Sequence, residues 1–322
     1  MQYYTENPEM KETRKGFADA LEQLGAENPD VVVLGGDVTG SVRTNQFRDA
    51  YPDRFFSVGI AEQDMMGTAA GLALVGKIPI ASTYGEFATG RPFDQIRQSI
   101  AYSEMNVKIC ASHAGITVGY DGATHQSFED VAIMRVLPHM TVLTPCDYNQ
   151  TFNAIKASVE FVGPCYVRFY RENSPNFTDI NEKFEIGKSK IMVEGDDITL
   201  MASGLIVWNA IVAAHNLAKE GINARVVNMS TIKPIDREMI LKCADETGMI
   251  ITCEDHQWTA GLYGAVAEVL SKERPTPMDW IAINDTFGES GPGDALMVKY
   301  GLDHTAIERK VREHVKTAVN QK

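Results

Sequence analysis

Short apolar runs alternate with amphipathic stretches along most of the chain. Residues 31–34 form a β-branched run that stops at Gly35-Gly36-Asp37. Further runs at 54–58, 78–81, 107–111, 141–143 and 165–168 predict strands. Between them, 67–75, 93–103, 128–136 and 147–159 predict helices. Strands alternating with helices at this spacing imply a mostly parallel sheet covered on both faces, and continuously apolar strands agree with that. From 171 to 190 the pattern lapses: Arg171 through Asp179 is polar and turn-rich and reads as the start of a linker. A second set follows, with strands at 198–201, 224–228, 250–253 and 280–283 and helices at 206–219 and 261–270. Gly221 is placed as a helix C-cap. The expected fold class is α/β, with two consecutive parallel-sheet domains at 1–178 and 190–322 and a linker at 179–189.

Composition narrows the function classes. The chain has 322 residues, 44% of them hydrophobic and 23% charged, which is ordinary for a soluble globular protein of two domains. A net charge of −13 argues against a general nucleic-acid or anionic-membrane surface, while leaving room for local basic sites. Cys110, Cys146, Cys165, Cys243 and Cys253 are widely spaced and form no Cys-x-x-Cys, so they read as reduced, buried thiols of a cytoplasmic protein. No basic leader followed by an apolar run opens the chain, and no run reaches membrane-spanning length.

Candidate chemistry concentrates in the first domain. Gly59-Ile60-Ala61-Glu62 places one carboxylate between a predicted strand and a helix rich in glycine and alanine. Such a helix lets another surface approach closely, and a poorly solvated Glu62 there suits sharing a proton with a ring nitrogen. A glutamate satisfying backbone donors at a helix start fits the residues equally. The loop 112–126 follows a predicted strand end, where α/β proteins bind ligands. It carries His113, Asp121 and His125 among glycines, a set able to transfer protons and recognise hydroxyls near neutral pH. The spacing matches no standard zinc pattern, and no metal ligands are assigned. Arg14 and Arg171 offer guanidinium forks that suit phosphate oxygens as well as surface ion pairs. Tyr84 and Phe87, after the strand at 78–81, could wall a flat heterocycle or belong to the core.

Together these motifs resemble the C-terminal half of a transketolase, comprising the pyrimidine-binding and C-terminal domains. The resemblance rests on Thr13-Arg14-Lys15, the run from Gly35 to Ser41, Gly59-Ile60-Ala61-Glu62, Ser82-Thr83-Tyr84, and Phe93-Asp94-Gln95-Ile96-Arg97. It continues through His113, Asp121-Gly122, Thr124-His125-Gln126 and Tyr170-Arg171-Glu172-Asn173. In the second domain it extends to Thr199 through Gly204, Glu254-Asp255-His256 and Phe287 through Gly291. The resemblance implies thiamine diphosphate chemistry and transfer of a two-carbon ketol unit between sugar phosphates, as in the pentose phosphate pathway. It implies that Glu62 bonds the cofactor's pyrimidine nitrogen and that Tyr84 and Phe87 contact that ring. It implies that Asp37 lies near the cofactor or an opposing subunit. His113 and His125 would bond the substrate and relay protons, and Asp121 would recognise a donor hydroxyl. Arg14, Ser41 and Arg171 would hold the sugar phosphate. Glu254-Asp255-His256 is expected to be structural or interfacial.

The sequence departs from the family pattern at Ala88-Thr89-Gly90, Ala114-Gly115, Tyr120 and Ala123, which bears on donor preference. The Gly-Asp-Gly signature of the family's magnesium and diphosphate domain does not occur, and Gly195-Asp196-Asp197 with Asn223 reads as a turn. The resemblance therefore implies a split enzyme. A partner N-terminal subunit would carry the diphosphate and magnesium site, and the chain would self-associate through its C-terminal half, with a heterotetramer as the expected assembly. Two alternatives share this plan: the small chain of a 2-oxo acid dehydrogenase's decarboxylating component, and a non-catalytic assembly subunit. His113, Asp121, His125 and the arginine pair favour sugar phosphates over the first, and Glu62 with both loop histidines weighs against the second.

Overall fold

A computed structural model describes the backbone of residues 2–320 and the side chains of 2–315. Its strands are β1 (Glu9–Glu12), β2 (Val31–Gly35), β3 (Phe55–Ser57), β4 (Ile78–Tyr84), β5 (Lys108–Ser112), β6 (Thr141–Leu143), β7 (Cys165–Arg168) and β8 (Asn173–Asn176). They continue as β9 (Lys190–Val193), β10 (Ile198–Ala202), β11 (Ala224–Asn228), β12 (Thr231–Lys233), β13 (Ile250–Gln257) and β14 (Met278–Ile283). One sheet has the order β12-β6-β7-β5-β4-β2-β3 and is parallel except at β12. The second has the order β14-β13-β10-β11-β9 and is parallel except at β9. Two α/β units with dominantly parallel sheets are thus present, as the alternating pattern predicts.

The continuous apolar strands arise because both faces of the first sheet are covered. Leu34, Ala81, Ile109, Val142 and Tyr166 face one core cluster with Met65, Met66 and Ala69. Val31, Val33, Ile80, Cys110, Leu143 and Val167 face the other, with Phe17, Leu21 and Ile155. The first cluster runs on into Val227, Met229 and Ile240, so the core is continuous between the halves. All five cysteines are buried and unpaired. Among the described residues no helix is long and apolar enough to cross a membrane.

Several elements differ from the sequence-based expectation. Residues 173–176, read as the opening of a linker, form β8, which pairs antiparallel with β1. The segment 93–103 is a short helix, Phe93–Gln95, that widens into a π turn at Ile96–Ala101. The helix expected at 67–75 spans Glu62–Leu74, so Glu62 opens its first turn. That helix buries Glu62, Met65, Met66, Ala69 and Ala70, whereas Gly67 and Gly71 face open space. Gly195-Asp196-Asp197 bends between β9 and β10, with the amides of Asp196 and Asp197 donating to the Asn223 carbonyl.

Register positions the site. Gly35 pairs with Ser82, Tyr84 with Ser112, and Ala111 with Arg168. The C-terminal ends of β2, β4, β5 and β7 are therefore level, and the segments that follow them emerge along one sheet edge.

Candidate functional site

His113 sits immediately after β5, fully buried, at a left-handed φ of 57°. Its Nδ1 lies 2.9 Å from Ser112 Oγ and its Nε2 lies 3.1 Å from Ser41 Oγ. Ser41 Oγ is also 2.7 Å from the Tyr84 hydroxyl. The Tyr84 ring stacks on His113 with centroids 3.9 Å apart. Phe87, on the helical turn Gly85–Thr89, lies next to Tyr84 at 5.6 Å, nearly parallel. His125 sets its edge against both rings, at 5.1 Å from Phe87 and 6.1 Å from Tyr84. Thr124 Oγ1 lies 2.9 Å from His125 Nδ1. Segments at three strand ends, those of β2, β4 and β5, thus converge on one polar and aromatic wall.

Burial, then the charges of Arg14, Arg171 and His125, push His113 down to about 3. A neutral imidazole there exchanges hydrogen bonds without carrying charge at physiological pH. Arg14 anchors the charged end. Its Nη1 donates to the Ser41 carbonyl at 2.8 Å, and its Nη2 and Nε donate to Glu12 at 3.0 and 3.2 Å. Arg43 Nε donates to the same Glu12 at 2.7 Å. Burial, the largest single effect, raises the Glu12 carboxyl, but the bonds and charges of Arg14 and Arg43 together outweigh it and hold it below its ordinary value. Arg171 pairs with Asp121 at 3.4 Å and with Glu172 at 3.3 Å.

Glu62 is buried at the start of its helix, 5% exposed. Its Oε1 accepts a hydrogen bond from Arg91 Nη1 at 2.9 Å. The Arg91 guanidinium lies over the Phe87 ring, 4.0 Å from its centroid. Asp37, at φ 63° beyond the end of β2, is exposed. The structure therefore gathers Arg14, Ser41, Tyr84, Phe87, His113 and His125, with Arg171 and Asp121 paired beside them. Glu62 joins the group through Arg91 and Phe87 rather than through a histidine.

Sequence reasoning missed Arg91 and Glu12. Gly90-Arg91-Pro92 looks like loop punctuation, and Glu12 sits in a short polar strand; neither carries a periodic signal. It also missed Arg168, whose buried guanidinium donates to Asp130 at 2.8 Å and to Asp255 at 2.7 Å and so ties the first sheet to β13. Gly115, in the histidine loop, lies against this network. A Cβ there would fall 1.8 Å from Asp255 Oδ2, and its φ is 70°.

Comparison with known proteins gives concordant matches. Residues 9–176 match the family model of the transketolase pyrimidine-binding domain, and residues 187–307 that of the transketolase C-terminal domain. A protein of Methanocaldococcus jannaschii described as a transketolase C-terminal section is 47% identical over 95% of this chain and 97% of its own length. A subunit of the apulose-4-phosphate transketolase of Phocaeicola vulgatus is 40% identical over 94% of this chain and 97% of its own. A solved structure described as an inactive β4 tetramer of a split-gene transketolase superposes with a TM-score of 0.89 at 47% identity. That match covers 95% of this chain and 98% of the other.

Proposed function

This chain belongs to the transketolase family, as the C-terminal subunit of a split enzyme, and from that premise we propose that it transfers a two-carbon ketol unit from a ketose phosphate to an aldose phosphate. The observation that carries the reading is the convergence of Ser41, Tyr84, His113 and His125 beside the Glu62–Phe87 wall, with Arg14 at the charged end. The residues present fit the pyrimidine end of thiamine diphosphate. Glu62 offers a buried carboxylate beside an aromatic wall. Ser82 Oγ, Thr83 Oγ1 and Gln95 Oε1 are buried without a hydrogen-bond partner among the described residues, the first two directly ahead of Tyr84 on β4.

Thiamine diphosphate, when bound, supplies the nucleophilic carbon and the electron sink for carbon–carbon cleavage. Glu62 would hold the pyrimidine nitrogen and manage its proton, while Tyr84 and Phe87 line the ring. Neutral His113 would bond the sugar carbonyl or a hydroxyl, oriented by Ser41 and Ser112. His125, edge-on to the aromatic wall, would relay protons as the carbonyl gains and loses charge. Arg14, Ser41 and Arg171 would hold the phosphate, with Asp121 steering Arg171 and reading a donor hydroxyl. Asp37 would meet the cofactor or an opposing subunit.

A partner N-terminal subunit would bring the diphosphate site and its magnesium. The relatives that support this division are themselves a C-terminal section and a single subunit of a transketolase, and the β4 tetramer is described as inactive. Self-association through the C-terminal half would complete a heterotetramer, and the open Gly67–Gly71 face of the first domain, beside exposed Leu74 and Val75, would meet a second copy or the partner subunit. The test is ketol transfer from xylulose 5-phosphate to ribose 5-phosphate with magnesium and thiamine diphosphate, using the chain alone and with its N-terminal subunit. Activity in the mixture only, lost in Glu62→Ala, is the expected result. Full activity of the chain alone would refute the split. Turnover of pyruvate in place of the sugars would refute the substrate class.

A further inference from the structure

We propose that Arg91 is a displaceable cap on Glu62, standing where the pyrimidine ring binds and leaving when the cofactor arrives. The inference rests on the function proposed above. Glu62 is nearly inaccessible to water, and a buried carboxylate without a counter-charge is costly. In this chain the counter-charge is Arg91, through a single Nη1–Oε1 bond of 2.9 Å. The same guanidinium stacks on Phe87 at 4.0 Å. A guanidinium is planar, offers N–H donors at its edge and binds aromatic rings by its face. An aminopyrimidine ring held by a carboxylate and an aromatic wall needs the same two contacts.

Both places cannot be shared. The guanidinium lies over the Phe87 ring at 4.0 Å, so an incoming ring stacking on that face competes with it. Departure is easy, because the Arg91 side chain is half exposed, whereas that of Glu62 is 6% exposed. The backbone stays tethered: Gln63 Nε2 donates to the Arg91 carbonyl at 3.4 Å, and Pro92 follows. Swinging the side chain outward therefore disturbs no packed element. The cap keeps the Glu62 charge compensated in the chain without cofactor, and it weakens cofactor binding by the free energy of the contact it gives up.

Cofactor affinity and arginine reactivity test this together. Calorimetry would give the dissociation constant of thiamine diphosphate, with magnesium, for the complex of this chain with its N-terminal subunit. Arg91→Ala and Arg91→Gln are expected to bind it up to about fivefold more tightly than wild type, the value of a partly exposed ion pair. Mass mapping after phenylglyoxal treatment reads the wild-type side chain directly, without a variant. Cofactor addition to the complex is expected to make Arg91 more reactive, the reverse of ordinary ligand protection. In the chain alone, Glu62→Gln is expected to raise Arg91 reactivity as well. Weaker or unchanged binding in the Arg91 variants, or greater protection of Arg91 by cofactor, overturns the cap. Binding by neither wild type nor variant refutes the proposed function, and displacement with it. The Glu62→Gln arm still judges the contact itself: unchanged Arg91 reactivity overturns the pairing.

Discussion

Replacing Arg168 by methionine would leave two buried carboxylates facing each other where the halves of the chain meet. Arg168 Nε donates to Asp130 Oδ2 at 2.8 Å, and Nη1 donates to Asp255 Oδ1 and to the Tyr170 hydroxyl, each at 2.7 Å. Nη2 adds the carbonyls of Asp255 at 3.1 Å and Ser127 at 3.3 Å. The three charged side chains are 2%, 0% and 3% exposed, so solvent screens almost nothing. With the guanidinium present the cluster carries one net negative charge; without it, two. Breaking a buried ion pair costs about 3–5 kcal/mol. Because one arginine serves both carboxylates and methionine fills its stem, the expected loss lies in the upper part of that range, about 4–5 kcal/mol. Urea unfolding followed by circular dichroism measures it. The deficit also depends on pH. Burial already holds the Asp255 carboxyl above its usual value, although Arg168 opposes that rise. Without the guanidinium the folded value rises further. A carboxyl raised in the folded state stabilises below its unfolded value and loses that contribution as pH climbs through the folded one. Arg168→Met should therefore fall further behind wild type on going from acid toward neutral pH. Adding Asp130→Asn and Asp255→Asn should restore most of the loss, since a neutral network avoids the desolvation penalty. A deficit below about 1 kcal/mol in Arg168→Met, or no recovery in the triple variant, would refute this account.

Other outcomes follow from the same geometry. Gly115→Ala would place a Cβ into Asp255 at a left-handed φ, and should cost at least about 1–3 kcal/mol in denaturant unfolding. A variant as stable as wild type would show that the histidine loop is less tightly docked than the structure has it. His113→Ala in the reconstituted enzyme should lower kcat/KM for ketol transfer by about 100-fold or more, whereas a change under about tenfold would remove His113 from the chemistry. Histidine titration followed by NMR should find His113 near 3 and His256 near 4, both neutral from about pH 6 upward. Each is depressed below its unfolded value, so the stabilisation tied to them is fully present above about 6.5 and lost as pH falls toward the folded values. A His113 resonance that titrates near 6.5 would contradict its burial.

The parallel sheet was readable because burial on both faces leaves an unmistakable sequence trace. Val31, Val33 and Ile80 point to one core while Leu34 and Ala81 point to the other, so these strands have no polar alternation to hide them. Two of the strands that escaped notice, β8 and β12, lack that trace. β8 reads Asn-Ser-Pro-Asn, and only its pairing with β1, more than a hundred and fifty residues earlier, makes it a strand. β12 is three residues long and crosses from the second half of the chain to the edge of the first sheet. Neither pairing can be inferred from local preference, because the partner is set by tertiary packing. The helix of Glu62 began five residues earlier than its apolar run, since Glu62, Gln63 and Asp64 supply acidic and polar groups to a first turn that periodicity does not count.

The site divides along the same line between what is recognised by type and what is recognised only by position. His113, His125 and Tyr84 announce themselves as titratable or aromatic groups in loops after predicted strands. The bonds of Tyr84 and His113 to Ser41 follow from the level strand ends, whereas those of His113 to Ser112 and His125 to Thr124 join sequence neighbours. Arg91, Glu12 and Arg168 do not announce themselves, because charge compensation is a property of pairs and the pairs are long-range or lie in irregular segments. Glu62 to Arg91 spans 29 residues, and Arg168 to Asp255 spans 87. Yet each pair answers a question that the sequence could already pose. A carboxylate expected in a poorly solvated place needs a cation or a proton. Had Glu62 been required to name its counter-charge, the nearest cation after the aromatic pair Tyr84 and Phe87 is Arg91. A buried acid inferred from sequence therefore carries a second inference with it, that some cation within reach of the same loop will hold it until a ligand does.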